Sequence, residues 1–379
     1  MDIKNFKAGT YKKQYAYYSF SPTTVNAEWI VTDARLLTLL SEADRKLGEL
    51  NAASRWLPDI RFFIAMHIAK EATTSSRIEG TSTTMEEAFT EASDIDPDRR
   101  DDWTEVHNYI LAMDSAIKAL KKLPLSGRLL KNTHKQLLSG VRGKHKNPGE
   151  YRQSQNWLGT SLANAAYIPP VHTEAKELMS DLEKFLNNDA IAVTPLVRIA
   201  ISHYQFETIH PFLDGNGRLG RLLITLYLVG AGILEKPTLY LSDFFERNRL
   251  EYYDSLTRAR KKNDLAGWIR FFLTGVIETS ENSIRTFERI SVLRQKLEAE
   301  KIPMLGKRAK TGQEMLKLLY THPVIDREAI EKNLDLSTST ASRLLDDFVN
   351  LGILHETTGY RRNRRYAFSE YLGIFSETK

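Results

Sequence analysis

The twelve residues from His210 to Arg221, HPFLDGNGRLGR, constrain the fold of this chain more than any other stretch. Apolar residues recur at helical spacing both before and after them. Gly215, Asn216 and Gly217 interrupt that spacing, and Gly-Asn-Gly is typical of a tight turn. The sequence therefore predicts two apolar helices joined by a glycine turn.

The start of the second helix is predicted to bind phosphate. Backbone N–H groups of a glycine turn point outward at a helix N-terminus, where the helix dipole is positive. Arg218 and Arg221 are three residues apart, so both project from one side of the first turn towards further phosphate oxygens. Asp214, directly before the turn, is positioned to hold Mg²⁺ against those phosphates. His210, at the end of the first helix, is positioned to accept a proton from an attacking hydroxyl.

The composition excludes several other chemistries. The 379 residues contain no cysteine, which rules out disulfides, thiolate zinc sites and a cysteine nucleophile. Lys and Arg number 53 against 48 Asp and Glu, but the two signs are mixed along most of the chain, which is weak support for nucleic-acid binding. The N-terminus lacks the apolar core of a signal peptide, so we expect a cytoplasmic protein. No membrane span is expected, because the longest uncharged apolar run, 222–234, is shorter than the roughly 20 residues that cross a bilayer.

Periodic apolar residues predict a mainly α-helical chain to about residue 300. Pro58 is predicted to lie near a helix start. One interval departs from the pattern: residues 156–170 have little helical period and predict a short β-hairpin with an Ala-Asn-Ala tip, which we call the flap. The predicted helical stretches are 32–80, 102–122, 126–140, 173–187, 194–209, 218–232, 247–261 and 264–299.

After Ile302 and Pro303 the chain is predicted to form a separate small unit with the element order of a winged helix-turn-helix. Arginines fill its predicted wing, where they suit phosphate contacts with DNA. The predicted elements are helices over 311–321, 326–333 and 337–351 and strands near 353–356 and 365–368, and the wing arginines are Arg361, Arg362, Arg364 and Arg365.

The signature stretch resembles that of the Fic (filamentation induced by cAMP) family, H-x-F-x-(D/E)-G-N-G-R-x-x-R, with every specified position present. Two further stretches are similar to the same family. NPGEYRQSQNWLG, from Asn147, is found upstream of the signature, and KEATTSSRIEGT, from Lys70, occurs in members with an N-terminal helical extension. The resemblance implies a mainly α fold in which a Fic helical core carries the β-hairpin flap, an N-terminal helical extension and a small C-terminal winged helix-turn-helix domain.

The resemblance also implies AMPylation, the transfer of AMP from ATP to a hydroxyl side chain of a protein, with pyrophosphate leaving. His210 would then be the general base and Asp214 the ligand of Mg²⁺, so that ATP and Mg²⁺ are the expected cofactors. Asn216 and the N–H groups of Gly215 and Gly217 would hold the α- and β-phosphates.

The remaining contacts with ATP and target are implied in the same way. Arg218 would bind the β-phosphate region and Arg221 the γ-phosphate. Asn248 and Tyr252 lie near the segment that binds adenosine in the family. The target, which includes the protein itself, would add a strand along the flap at 158–168. Self-association as a homodimer is also expected for helical members of this class.

SSRIEG at 75–80 resembles the inhibitory motif of the family, (S/T)-x-x-x-E-(G/N), through Ser75, Glu79 and Gly80. Ser75 and Glu79 are four apart and share a helix face, and Gly80 is a plausible residue to end that helix. By resemblance, Glu79 would pair with Arg221 and deny that arginine to the γ-phosphate.

The expected domains are an N-terminal helical segment with this inhibitory helix at 1–100, a Fic catalytic core at 101–300 and the winged helix-turn-helix at 305–379. Other functions stay open on the same residues. A DNA-binding transcriptional regulator would use the Fic part as a nucleotide sensor, a de-AMPylating enzyme would use Glu79 to align water, and some relatives use other phosphate-containing donors. The intact signature favours a Mg²⁺-dependent protein adenylyltransferase.

Overall fold

The chain is mainly α-helical in a computed structural model that describes residues 1–56, 60–141, 143–359 and 364–376. This confirms the fold class expected from the sequence. The α-helices are α1 (Ala34–Trp56), α2 (Ile60–Ile78), α3 (Arg100–Leu120), α4 (Gly127–Leu137), α5 (His172–Asn187), α6 (Pro195–Ile209), α7 (Asn216–Gly230), α8 (Ser242–Arg247), α9 (Arg249–Lys262), α10 (Leu265–Lys296), α11 (Ala309–Thr321), α12 (Arg327–Leu334), α13 (Thr338–Asn350) and α14 (Ser369–Ser376). The strands are β1 (Gly9–Lys13), β2 (Tyr18–Pro22), β3 (Leu158–Gly159), β4 (Ala165–Tyr167), β5 (Val324–Ile325), β6 (His355–Glu356) and β7 (Tyr366–Ala367).

Helices α6 and α7 lie at the centre of the molecule. Nearly all of their side chains are buried on every face, which is the pattern of a helix surrounded by other elements. Helices α3, α5 and α10 pack around them. Trp268 of α10 is fully buried and donates its indole N–H to the carbonyl of Ala200 at 2.7 Å. The loop that joins α6 to α7 is therefore held between two immobilised helices.

The N-terminal segment contains a hairpin that the sequence did not predict. The helical stretch predicted from residue 32 is confirmed by α1 and α2, whereas β1 and β2 before it form an antiparallel hairpin. Tyr, Thr and Phe favour extended backbone, and Phe20 is buried against Tyr167, so this packing outweighs any local helical preference. The backbone N–H of Phe20 also donates to Ile168, directly after β4.

The flap forms the predicted hairpin, but its tip lies at residues 160–164, and Ala165 of the predicted Ala-Asn-Ala tip already belongs to β4. Strands β3 and β4 pair in antiparallel register, with Leu158 opposite Tyr167, and an irregularity follows at Gly159. The hydroxyl of Tyr167 donates to the carbonyl of Thr208 in α6 at 2.6 Å. The flap is thus fastened to the helix that ends at the signature.

The C-terminal elements follow the order helix, strand, helix, helix, strand, strand, and β5, β7 and β6 form one antiparallel sheet. The sequence predicted the three helices and the last two strands but missed β5 and α14. Helix α14 packs on α2, where Phe375 contacts the rings of Phe63 and His67. The assignment of this unit as a winged helix-turn-helix, and the three domain boundaries, stay predictions.

The predicted wing is described only in part. Arg361, Arg362 and the predicted helix-start residue Pro58 lie outside the described residues. Arg365 pairs with Asp94 of the N-terminal segment, and the Arg364 guanidinium lies 3.9 Å from Glu356. None of the described helices carries an apolar stretch long enough to cross a bilayer.

Candidate active site

The signature loop turns sharply between α6 and α7. His210 ends α6 in the left-handed region at φ 50° and ψ 60°, and Gly215 precedes α7 at φ 72°. A histidine in this region is uncommon and requires surrounding contacts that hold it there. The turn brings the imidazole close in sequence and space to the positive end of the α7 dipole.

The side chain of Asn216 holds the loop in shape. Its Oδ1 accepts the backbone N–H of Phe212 at 2.9 Å, and its Nδ2 donates to the carbonyl of the same residue at 2.9 Å. Both ends of the amide are therefore used by the loop itself. The predicted phosphate contacts of this segment then fall to the backbone N–H groups at the start of α7, which include those of Asn216 and Gly217.

Two side chains from the stretch upstream of the flap fasten the loop from outside. Arg152 is buried and donates to the carbonyls of His210 and Pro170, which lie on the loop and next to the flap. Asn156 donates to the carbonyls of His210 and Phe212 at 3.2 and 2.9 Å. These bonds account for the left-handed backbone at His210, because its carbonyl is fixed by two donors.

His134 of α4 supports the other side of the loop. Its Nδ1 accepts the N–H of Gly149 at 2.8 Å, so the proton is on Nε2, which donates to the carbonyl of Asp214 at 2.9 Å. The ring also stacks on Phe212 with centroids 3.8 Å apart. Burial lowers the pKa of His134 to about 4, so it is neutral near pH 7 and serves as a fixed strut.

His210 itself is poised as a neutral base. Burial, followed by the charge of Arg152, lowers its pKa to about 4. The imidazole is therefore unprotonated near pH 7, the state in which it accepts a proton.

Asp214 has a partly exposed carboxylate, 43% accessible. Its Oδ1 accepts the N–H of Gly215 at 2.6 Å and lies 4.0 Å from the Arg218 guanidinium. The described residues contain no group of three His, Asp or Glu side chains that would bind a metal without a further ligand. The carboxylate fits a Mg²⁺ ion that completes its oxygen ligands with phosphates and water.

The two signature arginines both meet carboxylates. Arg218 donates to Glu105 of α3 at 2.9 Å, with both side chains buried. Arg221 donates through Nε to the Ser75 hydroxyl at 2.9 Å and through one terminal nitrogen to the Ser75 carbonyl at 2.8 Å and to Glu79 at 2.7 Å. The sequence-based pairing of Glu79 with Arg221 is thus found as a direct contact.

The carboxylate of Glu79 also reaches the start of α7. A Cβ placed on Gly217 would lie 2.3 Å from Glu79 Oε1, so only glycine admits the carboxylate at this point. Burial raises the pKa of Glu79, but the charge and hydrogen bond of Arg221 outweigh it, and the pKa lies below its ordinary value. Helix α2 ends at Ile78, and Gly80 follows at φ 101°, as expected for a residue that stops the helix beyond the glutamate.

The predicted adenosine residues make hydrogen bonds to residues outside the signature. Tyr252 is buried, and its hydroxyl pairs with Nε2 of His203 at 2.9 Å in the core. Asn248 donates to the carbonyl of Phe244 at the end of α8. These positions give Tyr252 a packing role, and nucleotide contacts by either residue stay predictions.

Two sequence models of one family match the chain side by side. The model described as Fic/DOC family N-terminal matches residues 37–118, and the one described as Fic/DOC family matches residues 124–228. The chain belongs to the Fic/DOC family. The first match contains the Ser75 and Glu79 contacts of this Fic protein, and the second contains its complete signature.

Curated relatives of this Fic protein share its central part. The protein adenylyltransferase Fic of Drosophila erecta is 29% identical over 234 residues, 59% of this chain and 42% of that protein. The protein of the same name from Drosophila grimshawi is 28% identical over 261 residues, 65% of this chain and 48% of that protein. The chain thus spans about half the length of the curated relatives it matches. A solved Fic family protein from Desulfovibrio desulfuricans G20 supports the fold, with a TM-score of 0.55 at 21% identity over 89% of this chain and 97% of that one.

Four residues that support the signature loop and the start of α7 were not predicted from the sequence. Arg152 and Asn156 lie in the stretch NPGEYRQSQNWLG, so that stretch carried a signal for them. Glu105 and His134 lie on amphipathic helices whose spacing gives no sign of a partner near the signature. Their roles depend on contacts between residues far apart in the sequence.

Proposed function

We propose that this Fic protein is a Mg²⁺-dependent protein adenylyltransferase that uses ATP and is inhibited by its own Glu79. The observation that carries the proposal is the pairing of Arg221 with Glu79 and Ser75 beside a complete signature. Arginine side chains and helix N-termini both bind phosphate. The Glu79 carboxylate, bound to Arg221 at the N-terminus of α7, therefore occupies a site that would attract a phosphate group. The names of the curated relatives point to the same activity.

The chemistry follows from the loop. His210 takes the proton of a target hydroxyl, and the oxygen attacks the α-phosphorus of ATP while the bond to the β-phosphate oxygen breaks. Pyrophosphate leaves with the bonding electron pair. The N–H groups at the start of α7 and the guanidinium of Arg218 neutralise the charge that moves onto the phosphates, which is the main contribution a protein makes to such transfers.

Asp214 is the residue that would hold Mg²⁺. The ion supplies charge neutralisation between the phosphates when bound. The position of the Asp214 carboxylate is fixed by the hydrogen bond that it accepts from the Gly215 N–H. The backbone carbonyl of Asp214 is held in addition by His134.

In this proposal Glu79 inhibits the enzyme by keeping Arg221 away from the γ-phosphate of ATP. Arg221 has its three described hydrogen bonds directed at Ser75 and Glu79, so it is not available to the γ-phosphate while α2 is in place. ATP bound beside Glu79 would meet a negative charge and lack one clamp, which leaves the α-phosphate out of line with the target hydroxyl. Release of Glu79 restores the clamp.

The target is proposed to dock along the flap at 158–168. In the described part of the chain β3 and β4 form a two-stranded sheet, and the backbone of Phe20 contacts the chain at Ile168, directly after β4, so β3 offers the edge for a third strand. Tyr167 and Arg152 link that edge to α6 and to the carbonyl of His210, so a strand bound there lies near the base. The same edge would receive a segment of this chain in auto-AMPylation.

The direct experiment measures label transfer from ATP labelled at the α-phosphate, with Mg²⁺, to the protein and to a lysate. Wild type, Glu79→Gly and Glu79→Gly/His210→Ala are compared. We expect strong labelling by Glu79→Gly alone, because the double variant binds nucleotide without a base. No labelling by Glu79→Gly, with ATP binding established by calorimetry, would refute the adenylyltransferase proposal.

Removal of AMP is a second candidate that uses the same carboxylate. Glu79 is about one-third exposed, and its carboxylate lies beside Gly217 at the start of α7, where it would align a water molecule for attack on a bound AMP group. This candidate predicts that wild type, but not Glu79→Gly, strips label from a modified protein.

DNA binding by the C-terminal unit has less support. The described wing arginines Arg364 and Arg365 both face carboxylates of this chain, which favours contacts within the protein over contacts with phosphate.

A further inference from the structure

A second glutamate lies beside His210. Glu207 is three residues before it on α6, and its Oε2 lies 4.0 Å from Nδ1 of the imidazole. Both side chains are largely buried, 18% exposed for His210 and 11% for Glu207. Within the described part of the chain, neither His210 Nδ1 nor Glu207 Oε1 has a hydrogen-bond partner. Each of the two residues thus has a buried polar atom without a partner, and such atoms require an explanation.

The neighbouring helix is shaped to admit this carboxyl group. A Cβ placed on Gly220 of α7 would lie 2.2 Å from Glu207 Oε1, closer than any real Cβ approaches an oxygen. The backbone of α7 therefore comes near the glutamate only because position 220 is glycine. Gly220 is one of the four unspecified positions in the signature pattern, so the signature itself does not account for it.

The charges around the pair come from four elements. Glu79 approaches from the end of α2, Arg221 from α7, Arg260 from α9 and Arg152 from the segment before the flap. Burial, opposed by the charges of Arg221 and Arg260 and reinforced by that of Glu79, raises the pKa of Glu207 to about 7. Near pH 7 the carboxyl group therefore lies close to its own ionisation.

We propose that Glu207 is a positioning residue for His210, which holds the imidazole through Nδ1 and stabilises the imidazolium that forms during transfer. The inference rests on the proposed adenylyltransferase function. The target hydroxyl gives its proton to Nε2 of His210, and the Nδ1–H then carries part of the positive charge towards the Glu207 carboxylate. The separation of 4.0 Å shortens to a hydrogen bond in the reacting complex, as catalytic contacts often do.

This arrangement gives Glu79 a second inhibitory effect. With Glu79 docked, two carboxylates face the same pocket, and their repulsion favours the protonated form of Glu207. A neutral carboxyl group does not stabilise an imidazolium by charge. When Glu79 leaves, Glu207 ionises more readily, so the same movement frees Arg221 for the phosphate and prepares His210 for the proton.

The kinetic test uses the full chain with Glu79→Gly as parent. Glu79→Gly/Glu207→Gln keeps the shape of the side chain and removes its charge. Glu79→Gly/Ser202→Ala is the matched control, because Ser202 is also a buried residue of α6 with an unpartnered hydroxyl. We expect the Gln variant to lower kcat about 100-fold, the usual scale of an acid–base contribution, with KM for ATP unchanged. The Ser202 control should keep the rate of the parent.

The pH profile separates positioning from packing. In the parent, kcat should rise with pH as Glu207 ionises, and this rise should disappear in the Gln variant. In wild type the same rise should occur at higher pH, because the charge of Glu79 holds the Glu207 pKa up. Glu207→Asp, which keeps the charge but shortens the side chain, should restore part of the rate and serves also if the Gln variant does not fold.

NMR of the histidine ring nitrogens gives a readout that does not require AMP transfer. In wild type the Nδ1 signal of His210 should move as Glu207 ionises near pH 7, and this movement should be absent in Glu207→Gln; His210→Ala identifies the signal. An unchanged kcat, or an Nδ1 signal that does not move near pH 7 in wild type, would overturn the proposal. A moving Nδ1 signal in a protein that transfers no AMP would retain the coupling and refute the adenylyltransferase function instead.

Discussion

The two arginines of the signature helix are held by contacts of opposite character. The α3 contact joins Arg218 to Glu105 at 2.9 Å, and each side chain is only 5% exposed. The α2 contact joins Arg221 to Glu79 at 2.7 Å, and there the glutamate is 36% exposed although the arginine is buried. The distances are similar, but the second carboxylate stands at the rim of the site.

The difference is explained by where each glutamate lies on its helix. Glu105 is in the body of α3, which packs on α7 along its length. Glu79 follows the last residue of α2, with Gly80 directly after it. A carboxylate inside a packed helix has no route out, whereas one at a helix end is freed by a small change in the last turn. The α3 contact is therefore permanent, and the α2 contact is suited to release.

The largest effect should follow from breaking the permanent contact. Glu105→Gln removes the charge that compensates buried Arg218, and a broken buried ion pair typically costs about 3 kcal/mol or more of unfolding free energy. Urea unfolding should show this loss. AMP transfer should fall even with Glu79→Gly, because Arg218 is no longer held. Wild-type stability of Glu105→Gln would mean that Arg218 is solvated in the native protein and that the two contacts are alike.

The same substitution at the second contact should have the opposite sign. Glu79→Gln should raise auto-AMPylation about 10- to 100-fold, the usual range of coupling between two sites. Its unfolding free energy should change by less than about 1 kcal/mol, because the lost carboxylate is partly exposed. Label transfer and urea unfolding measured on both Gln variants compare the contacts directly. A Glu79→Gln protein that is both inactive and unstable would show that this contact is structural.

Ser75 should have a smaller effect in the same direction. Its hydroxyl accepts one hydrogen bond from Arg221, and removal of such a bond changes an equilibrium about 2- to 10-fold. Ser75→Ala should therefore raise auto-AMPylation by that factor. Ser76→Ala is the matched control, because Ser76 is equally buried on α2 and its hydroxyl has no partner among the described residues. Equal rates in the two variants would assign Ser75 to helix packing alone.

The sequence predicted the α6–α7 loop and the contact of Glu79 with Arg221 better than it predicted the residues that hold the loop in place. The α6–α7 turn and the helix stop at Gly80 depend on residues adjacent in the chain, so local patterns suffice. The pairing of Arg221 with Glu79 came from the resemblance to the family, since a Ser-x-x-x-Glu pattern alone is typical of a solvated helix face. Glu207 has a helical spacing to His210 that was visible in the sequence, but its burial was not.

The missed elements need distant partners. Phe20 stabilises the β1–β2 hairpin by packing against Tyr167 of the flap. The local sequence around either residue gives no sign of this contact. Glu105 meets Arg218 across more than a hundred residues. Tyr252 is the opposite case, a residue that the sequence predicted at the site and whose observed contact is in the core. Aromatic residues at helical spacing are common in cores, and the hydroxyl of Tyr252 pairs with His203.

The smallest expected effect is the response of the releasable contact to mild acid. Arg221 lowers the pKa of Glu79 below the ordinary 4.5, so the contact contributes stability above that value and loses it as pH falls through the folded pKa. Lowering the pH from about 7 to about 5 should therefore not release Glu79. Hydrogen exchange at the last turn of α2 should keep its protection over this range, after correction for the intrinsic pH dependence of exchange. In Glu79→Gln the protection should be lower at every pH. A loss of protection in wild type near pH 6 would show that the carboxylate titrates well above 4.5, and mild acid would then be a signal that opens the site.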